Sequence, residues 1–410
     1  MNKRMAAVLA VTAMVAVACG KSGGNKAASG GTPASKGGQT VTIALGGPFS
    51  GSEKPTGDQI RAGAKLAADE VNEAGGITAG PLKGAKIAFR ELDDADDPAR
   101  GAANMRTIVD DEGLVAYVGS AVSDVSVAMA PIASQAGFSM LSAYASSEKI
   151  LEQATGKKSV FVVPPTFPAY AFSVADQLIK DGHTRPAILH GTGTYGDGIA
   201  NLFVSGLKAK NVSAVANETF AFTDTDFRTQ LARIKNANPD SLVVVGLANI
   251  DALVLQQADE LGLKVPVYDP GGITNSDTFL KAAGPLANGL TGNTPIYPAR
   301  NTAASQSLKE GYTKETGDSV IPDPAVFAYE GVRAVAAALA DGAKGREDLA
   351  DHLHAITLAD TGVGSLKFAP DGSRLGGRLY LYRITNGAPQ YFTSYEQTAP
   401  MEVKEVALGG

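Results

Sequence analysis

Short apolar runs alternate with longer amphipathic stretches along most of this chain, in two successive series. Residues 40–45 (TVTIAL) read as a strand. Residues 58–74 read as a helix, because Ile60, Ala64, Ala67 and Val71 fall on one face at helical spacing, and Gly75-Gly76 then supplies a stop. The pattern continues with strands at 86–92, 114–118, 139–141 and 160–163, and helices at 98–111, 125–136 and near 147–153. It then restarts. Helices are expected at 167–181, 198–210, 227–236 and 250–261, and strands at 186–190, 214–220, 241–245 and 266–268. Alternation of this kind buries both faces of a parallel sheet under helices, so the fold class is α/β with two doubly wound lobes. The last third departs from the pattern. Helices at 324–341 and 348–356 precede a strand at 365–368, a turn at Pro370-Asp371-Gly372 and a strand at 378–385, which is a hairpin rather than a β-α-β unit.

The chain opens with Lys3 and Arg4, an apolar run over residues 5–17, and Ala16-Val17-Ala18-Cys19. The run is too short to span a bilayer and has the build of an export signal. Small residues followed by a cysteine resemble a bacterial lipobox, with Ala16 where leucine is usual. The expectation is a signal over 1–18, lipidation of Cys19, and a Gly/Ser/Ala/Lys-rich tether over 19–38 that holds an exported body at a membrane. The alternative is an ordinary secretory signal with a chance cysteine. Cys19 is the only cysteine, so no internal disulfide can form. A net charge of -6 with no basic run argues against a nucleic-acid partner.

In open α/β sheets ligands sit beyond the carboxyl ends of strands, and with two lobes the natural site is the cleft between them. Two serine-rich loops stand at such ends. Gly119-Ser120-Ala121-Val122-Ser123-Asp124 precedes a helix that Ser123 would cap, and Ser142-Ala143-Tyr144-Ala145-Ser146-Ser147 precedes a short helix that Ser146 or Ser147 would cap. Paired helix N-termini suit a carboxylate or other compact anion; the plainer reading is that these serines only cap their own helices. In the second series Gly191-Thr192-Gly193-Thr194-Tyr195-Gly196 is a literal G-x-G-x-x-G between strand and helix, with Glu218 near the spacing of a ribose-binding acid. That pattern alone would indicate a nucleotide-dependent enzyme. No metal site is expected: His352 and His354 are two apart on a helix and face different ways, and the acidic run 91–97 reads as a helix start rather than a calcium loop. No G-x-S-x-G is present. No enzyme activity and no cofactor are expected.

The order of several segments is similar to that of the extracytoplasmic solute-binding proteins of the leucine/isoleucine/valine-binding family, which serve ABC importers of branched-chain amino acids, amides and urea. The segments are IALGGPFSGSEKPTGDQIRAGAKLAADEVNEAGGI, LDDADDPARGAANMRTIV, YVGSAVSDVSVAMAPIASQAGFSMLSAYAS, LHGTGTYGDGIANLFVSGLKA, FTDTDFRTQLARIKNANPDSLVVVG, AVFAYEGVRAVAAAL and GSLKFAPDGSR. The resemblance implies a type I periplasmic binding protein: two Rossmann-like lobes joined by a three-crossover hinge. It places lobe 1 at 39–165 plus 294–368, lobe 2 at 166–293 plus 369–400, and a tail at 401–410. It assigns Ser123, Tyr144, Ala145 and Ser146 to the ligand's carboxylate or polar head and Tyr195 to the second-lobe cover. Asn249 and Phe327 fall at further pocket positions, and Gly271 stands where amino-acid binders carry the acid that pairs with the α-ammonium. Thr56 replaces an aromatic. Asp124 or Glu330 would then substitute for the missing acid, or the ligand lacks an ammonium. The implied function is a monomeric, lipid-anchored protein that captures a small polar solute (amino acid, amide or carboxylate) by hinge closure and hands it to ABC permease and ATPase subunits. A sensor of the same fold is the alternative. In this setting Tyr195, not phosphate binding, is the use of the glycine motif.

Overall fold

The computed structural model describes residues 38–408 apart from Ser52 and Ser319. The export signal, Cys19 and the tether fall outside the described residues, save for Gly38 at the tether's end. Within them the first series runs β1 (Thr40–Gly47), α1 (Lys54–Glu73), β2 (Lys86–Asp93), α2 (Pro98–Asp110), β3 (Leu114–Gly119), α3 (Ser123–Ala136), β4 (Met140–Ser142), α4 (Lys149–Gln153) and β5 (Val160–Val162). The second runs α5 (Phe167–Lys180), β6 (Pro186–Gly191), α6 (Thr194–Ala209), β7 (Ala216–Phe220), α7 (Arg228–Asn236), β8 (Ser241–Val245), α8 (Ala248–Glu260), β9 (Val267–Asp269), α9 (Asp277–Ala283) and β10 (Thr291–Thr294). The chain closes with α10 (Ala303–Thr316), α11 (Asp323–Asp341), α12 (Leu349–Ala355), β11 (Leu358–Thr361), β12 (Gly364–Phe368), β13 (Arg374–Thr385), β14 (Ala388–Ala399) and β15 (Glu402–Val406).

One sheet has the order β2-β1-β3-β4-β5 and is parallel throughout. The other runs β11-β12-β13-β10-β9-β8-β6-β7, parallel from β10 to β7, with β14 and β15 added antiparallel beyond β13. Alternate residues of each parallel strand enter opposite cores. Ile43, Leu45 and Val118 pack with Ile60, Val332 and Leu339 of α1 and α11, while Ala44 and Tyr117 pack with Met105 and Val125 of α2 and α3. In the second sheet Ile188 and Val243 face Leu178 and Phe203 of α5 and α6, and Leu189 and Val244 face Leu231 and Val254 of α7 and α8. Burial on both faces is why these strands read as continuous apolar runs.

Buried polar links join the two sheets. Arg374, fully buried at the start of β13, donates to Val163 O at 2.9 Å, Glu330 Oε2 at 2.5 Å, Thr361 Oγ1 at 3.0 Å and Ser365 O at 2.8 Å. Gln397 of β14 accepts from Thr166 N at 3.0 Å and donates to Thr166 Oγ1 at 2.7 Å, just after β5.

The structure departs from the sequence expectations in several places. Helix α6 starts at Thr194, four residues before 198, inside the glycine motif. The segment expected as a tail at 401–410 carries β15, paired with β14. Strand β10 (TGNT) has no apolar signature yet is wholly buried; its Asn293 donates to Tyr170 O at 2.9 Å and Ser173 Oγ at 3.0 Å, so side-chain hydrogen bonds replace apolar contacts there.

Candidate functional site: a cleft between the carboxyl ends of two sheets

The carboxyl ends of the parallel strands of both sheets face a cleft of about 460 Å³. The first sheet supplies Glu53 and Thr56 after β1, Ala121 to Asp124 after β3, and Tyr144 to Ser146 after β4. The second supplies Thr192 and Tyr195 after β6, Phe222 after β7, Leu247 after β8, and Gly271 to Ile273 after β9. Phe167, Tyr170 and Asp323 line it as well. Ser123, Tyr144, Ala145, Ser146, Tyr195 and Gly271, all named from sequence, therefore stand around one space.

Two sequence-named residues do not. Phe327 is fully buried in the core between α11 and the first sheet, and the same helix reaches the cleft one turn earlier, through Asp323. Asn249 is exposed on α8 and does not line the cleft; Leu247 does.

The first-sheet wall is built of helix and loop donors, with roles partly different from those expected. Ser123 is the first helical residue of α3 and Val122 holds the cap position, with no side-chain cap bond. The Ser123 hydroxyl is thereby free to face the cleft, where it is 7% exposed. Helix α4 begins at Lys149 behind Glu148, and Ser147 Oγ accepts Lys149 N–H at 3.3 Å; Ser146 caps nothing. The Ala145 N–H donates to Ser120 O at 3.3 Å, so it is not a spare donor. Among the described residues the Ser123 and Ser146 hydroxyls have no protein partner. Together with the open N-terminal turn of α3 they are unengaged donors on this wall, which Glu53, Asp96 and Asp124 also border.

The opposite wall rests on the glycine motif. A Cβ on Gly196 would lie 1.8 Å from Gly191 O, so only glycine lets α6 start this close to β6. Tyr195, one residue earlier, reaches over the loops after β8 and β9: its hydroxyl lies 3.3 Å from Gly246 O and 3.4 Å from Gly271 O, and its ring stands edge-on to Phe167 at 5.9 Å. Burial pushes its phenol well above the ordinary value, so it is a neutral donor and apolar cover. A Cβ on Gly271 would lie 2.3 Å from Tyr195 Oη, so the tyrosine occupies the room a side chain at 271 would need. Asp269, fully buried two residues earlier, organises this loop by accepting from Gly271 N at 2.5 Å, Ile273 N at 3.0 Å, and Thr274 N and Oγ1 at 2.9 and 2.8 Å.

Of the acids considered as substitutes at 271, Glu330 is consumed by Arg374 in a fully buried pair. Asp124 lines the cleft and accepts from Thr194 Oγ1 across it, a direct bond between α3 and α6. Sequence reasoning missed Asp96, Phe222 and Asp323. Asp96 sits at φ 61 just before the α2 cap, Asp97, which accepts from Ala99 N at 2.8 Å and Arg100 N at 3.2 Å. Phe222 had a signal, since it follows a strand end as Tyr144 does. Burial raises the carboxyls of Asp96 and Asp323 above the ordinary range, the latter to about 7.

The rival chemistries find no support in the geometry. Glu218 is paired with Arg233 at 3.0 Å. His352 meets Asp341 at 2.7 Å and His354 meets Lys158 O at 3.0 Å, and among the described residues no group of three metal-ligating side chains converges. Among the same residues no helix is long and apolar enough to cross a membrane.

Comparison with known proteins agrees with this geometry. The periplasmic binding protein family profile matches residues 40–389. A Leu/Ile/Val-binding protein homologue of Brucella melitensis is 26% identical over 353 residues, covering 85% of this chain and 92% of the relative. The substrate-binding protein of a branched-chain amino acid transporter from Streptococcus pneumoniae, solved with isoleucine, superposes with a TM-score of 0.74 at 24% identity, covering 90% of this chain and all of that one. A solute-binding protein of R. palustris solved with benzoate has the same TM-score at 21% identity, covering 90% and 98%. These relatives are binding proteins, not enzymes, and the fold they share is a two-lobed α/β one. With two sheets opening their strand ends onto one cleft, and a profile match across nearly all of the described chain, the protein belongs to the periplasmic binding protein family.

Proposed function

We propose that this chain is the extracytoplasmic solute-binding component of an ABC importer and that its cleft takes a branched-chain or related small amino acid. The observation that carries the reading is the pair of walls. Ser123, Ser146 and the open α3 N-terminus offer unengaged donors on one side, and Tyr195 faces them from the other. The names of the relatives, which bind leucine, isoleucine and valine, support the choice of solute class. In this reading the first lobe captures the carboxylate through Ser123 and Ser146. Closure about the connections at 163–166, 295–302 and 369–373 then brings Tyr195 over the ligand, and the ligand's preference for the closed form shifts the population. Lobes divided near 165, 293 and 368 fit these connections. Export with a lipid anchor at Cys19 would place the cleft outside the membrane beside its permease.

Native mass spectrometry of the purified protein tests the proposal. The expected spectrum shows one small amino acid retained per chain and lost in Ser123→Ala/Tyr195→Ala. A spectrum of empty wild-type chain that gains no mass when amino acids are added would reject it.

A further inference from the structure

Charge in the cleft is one-sided. Glu53, Asp96, Asp124 and Asp323 line it, and among the described residues no Lys, Arg or His does. Two of these carboxylates are engaged: Glu53 accepts Thr56 Oγ1 at 3.1 Å and Asp124 accepts Thr194 Oγ1. Among the described residues neither Asp96 nor Asp323 has a side-chain partner. Asp96 stands with Glu53 and Asp124, and burial and their like charges raise its carboxyl. Asp323 is different. It opens α11 behind Pro322 and lines the cleft with Phe167 and Tyr170. The titratable groups around it are Tyr144 after β4, Tyr170 on α5, Tyr382 on β13 and Tyr391 on β14, with Glu53 beyond. None of them supplies a positive charge, and the α11 N-terminus contributes only a weak favourable field. Asp323 is partly buried, and a partly desolvated carboxylate with no cation carries a cost.

We propose that Asp323 is the counter-ion for an ammonium or guanidinium group of the solute, so that the cleft selects amine-bearing carboxylates over simple carboxylates. The inference rests on the cleft being the solute site and assigns its polarity: carboxylate towards Ser123 and Ser146, cation towards Asp323. Because burial, against a hydrogen bond from its own backbone N–H, sets Asp323 near 7, loss of its charge on acidification must weaken binding, whereas the solute's carboxylate and ammonium do not titrate in that range.

Titration calorimetry with leucine, lysine and 4-methylpentanoate (leucine without its ammonium), on wild type and Asp323→Asn, decides the matter. At least one of the two amino acids should bind wild type about tenfold or more tightly than 4-methylpentanoate, and Asp323→Asn should lose about tenfold or more for that amino acid. The wild-type affinity should fall several-fold between about pH 8 and pH 6, and the asparagine variant should show no such fall. A merely structural role for Asp323 would not produce that pH profile. Binding of 4-methylpentanoate as tight as that of the amino acids, or an asparagine variant that keeps wild-type affinity and pH dependence, overturns the proposal while leaving the cleft assignment intact. Absence of binding by all three probes removes the amino-acid reading of the cleft and this inference with it.

Discussion

Two of the three acids of helix α11, Asp323 and Glu330, stand in opposite electrostatic situations. Glu330, two turns into the helix, is completely buried and meets Arg374 at 2.5 Å, and the remaining guanidinium donors are taken by Val163 O, Thr361 Oγ1 and Ser365 O. Asp323, at the helix start, opens onto the cleft and among the described residues has no cation beside it. The first charge is neutralised on the spot because it holds the join between the sheets. The second is left uncompensated, at a cost in stability, where a ligand can supply the missing charge. A buried acid with its own arginine is therefore part of the scaffold, and a cleft acid without one is part of the site.

The contrast breaks most visibly at Arg374. Arg374→Met strands Glu330 in the core and should destabilise the protein by about 3–5 kcal/mol, while Arg374→Met/Glu330→Leu should recover most of that loss. Urea unfolding of both variants measures it; equal losses in the single and double variants would mean that the pair does not act as a unit. Asp323→Asn should have the opposite sign. The Asp323 pKa in the folded chain, about 7, lies above its ordinary value of 3.8. Wild-type stability is therefore undiminished by this group below about pH 4 and falls as pH rises towards 7, by up to about 4 kcal/mol. The ligand-free asparagine variant should be the more stable protein at pH 8 and the difference should vanish near pH 4, as thermal unfolding across pH would show. The smallest effect belongs to Thr194→Val, which removes the donor to Asp124 across the cleft. It should leave the unfolding midpoint nearly unchanged but weaken ligand binding through the closed state by about 0.5–1.5 kcal/mol, read by titration calorimetry.

Much of this was legible from sequence for a physical reason. Parallel strands buried on both faces and helices with one-sided stripes write their structure into hydrophobic spacing, so β1 to β9 and α1 to α8 left clear traces. Strand β10 left none, because its sequence is polar and the Asn293 amide N–H group donates to Tyr170 O and Ser173 Oγ in place of apolar packing. The loops that carry Ser123 and Ser146 could be named because strand ends are where open α/β sheets place ligands, whereas Tyr144 and Tyr195 are named through the resemblance to the solute-binding family. Asp323 could not. It comes from a helix that joins the first lobe from far along the chain, and no local pattern distinguishes a cleft-facing Asp-Pro helix start from an exposed one. Phe327 was misplaced for the same reason. Its helix reaches the site, but one turn nearer the N-terminus, and at 327 the helix already faces the core.

Calorimetric titration of the ligand-binding chain with leucine, isoleucine and valine, repeated on Ser123→Ala and Tyr195→Ala, tests most directly whether the cleft between the sheets is a solute site. A one-to-one isotherm in the wild type, weakened by about 1–3 kcal/mol in each variant with unfolding midpoints unchanged, is the predicted result. Wild-type binding that both variants retain in full would place the solute elsewhere on the molecule and contradict the assignment.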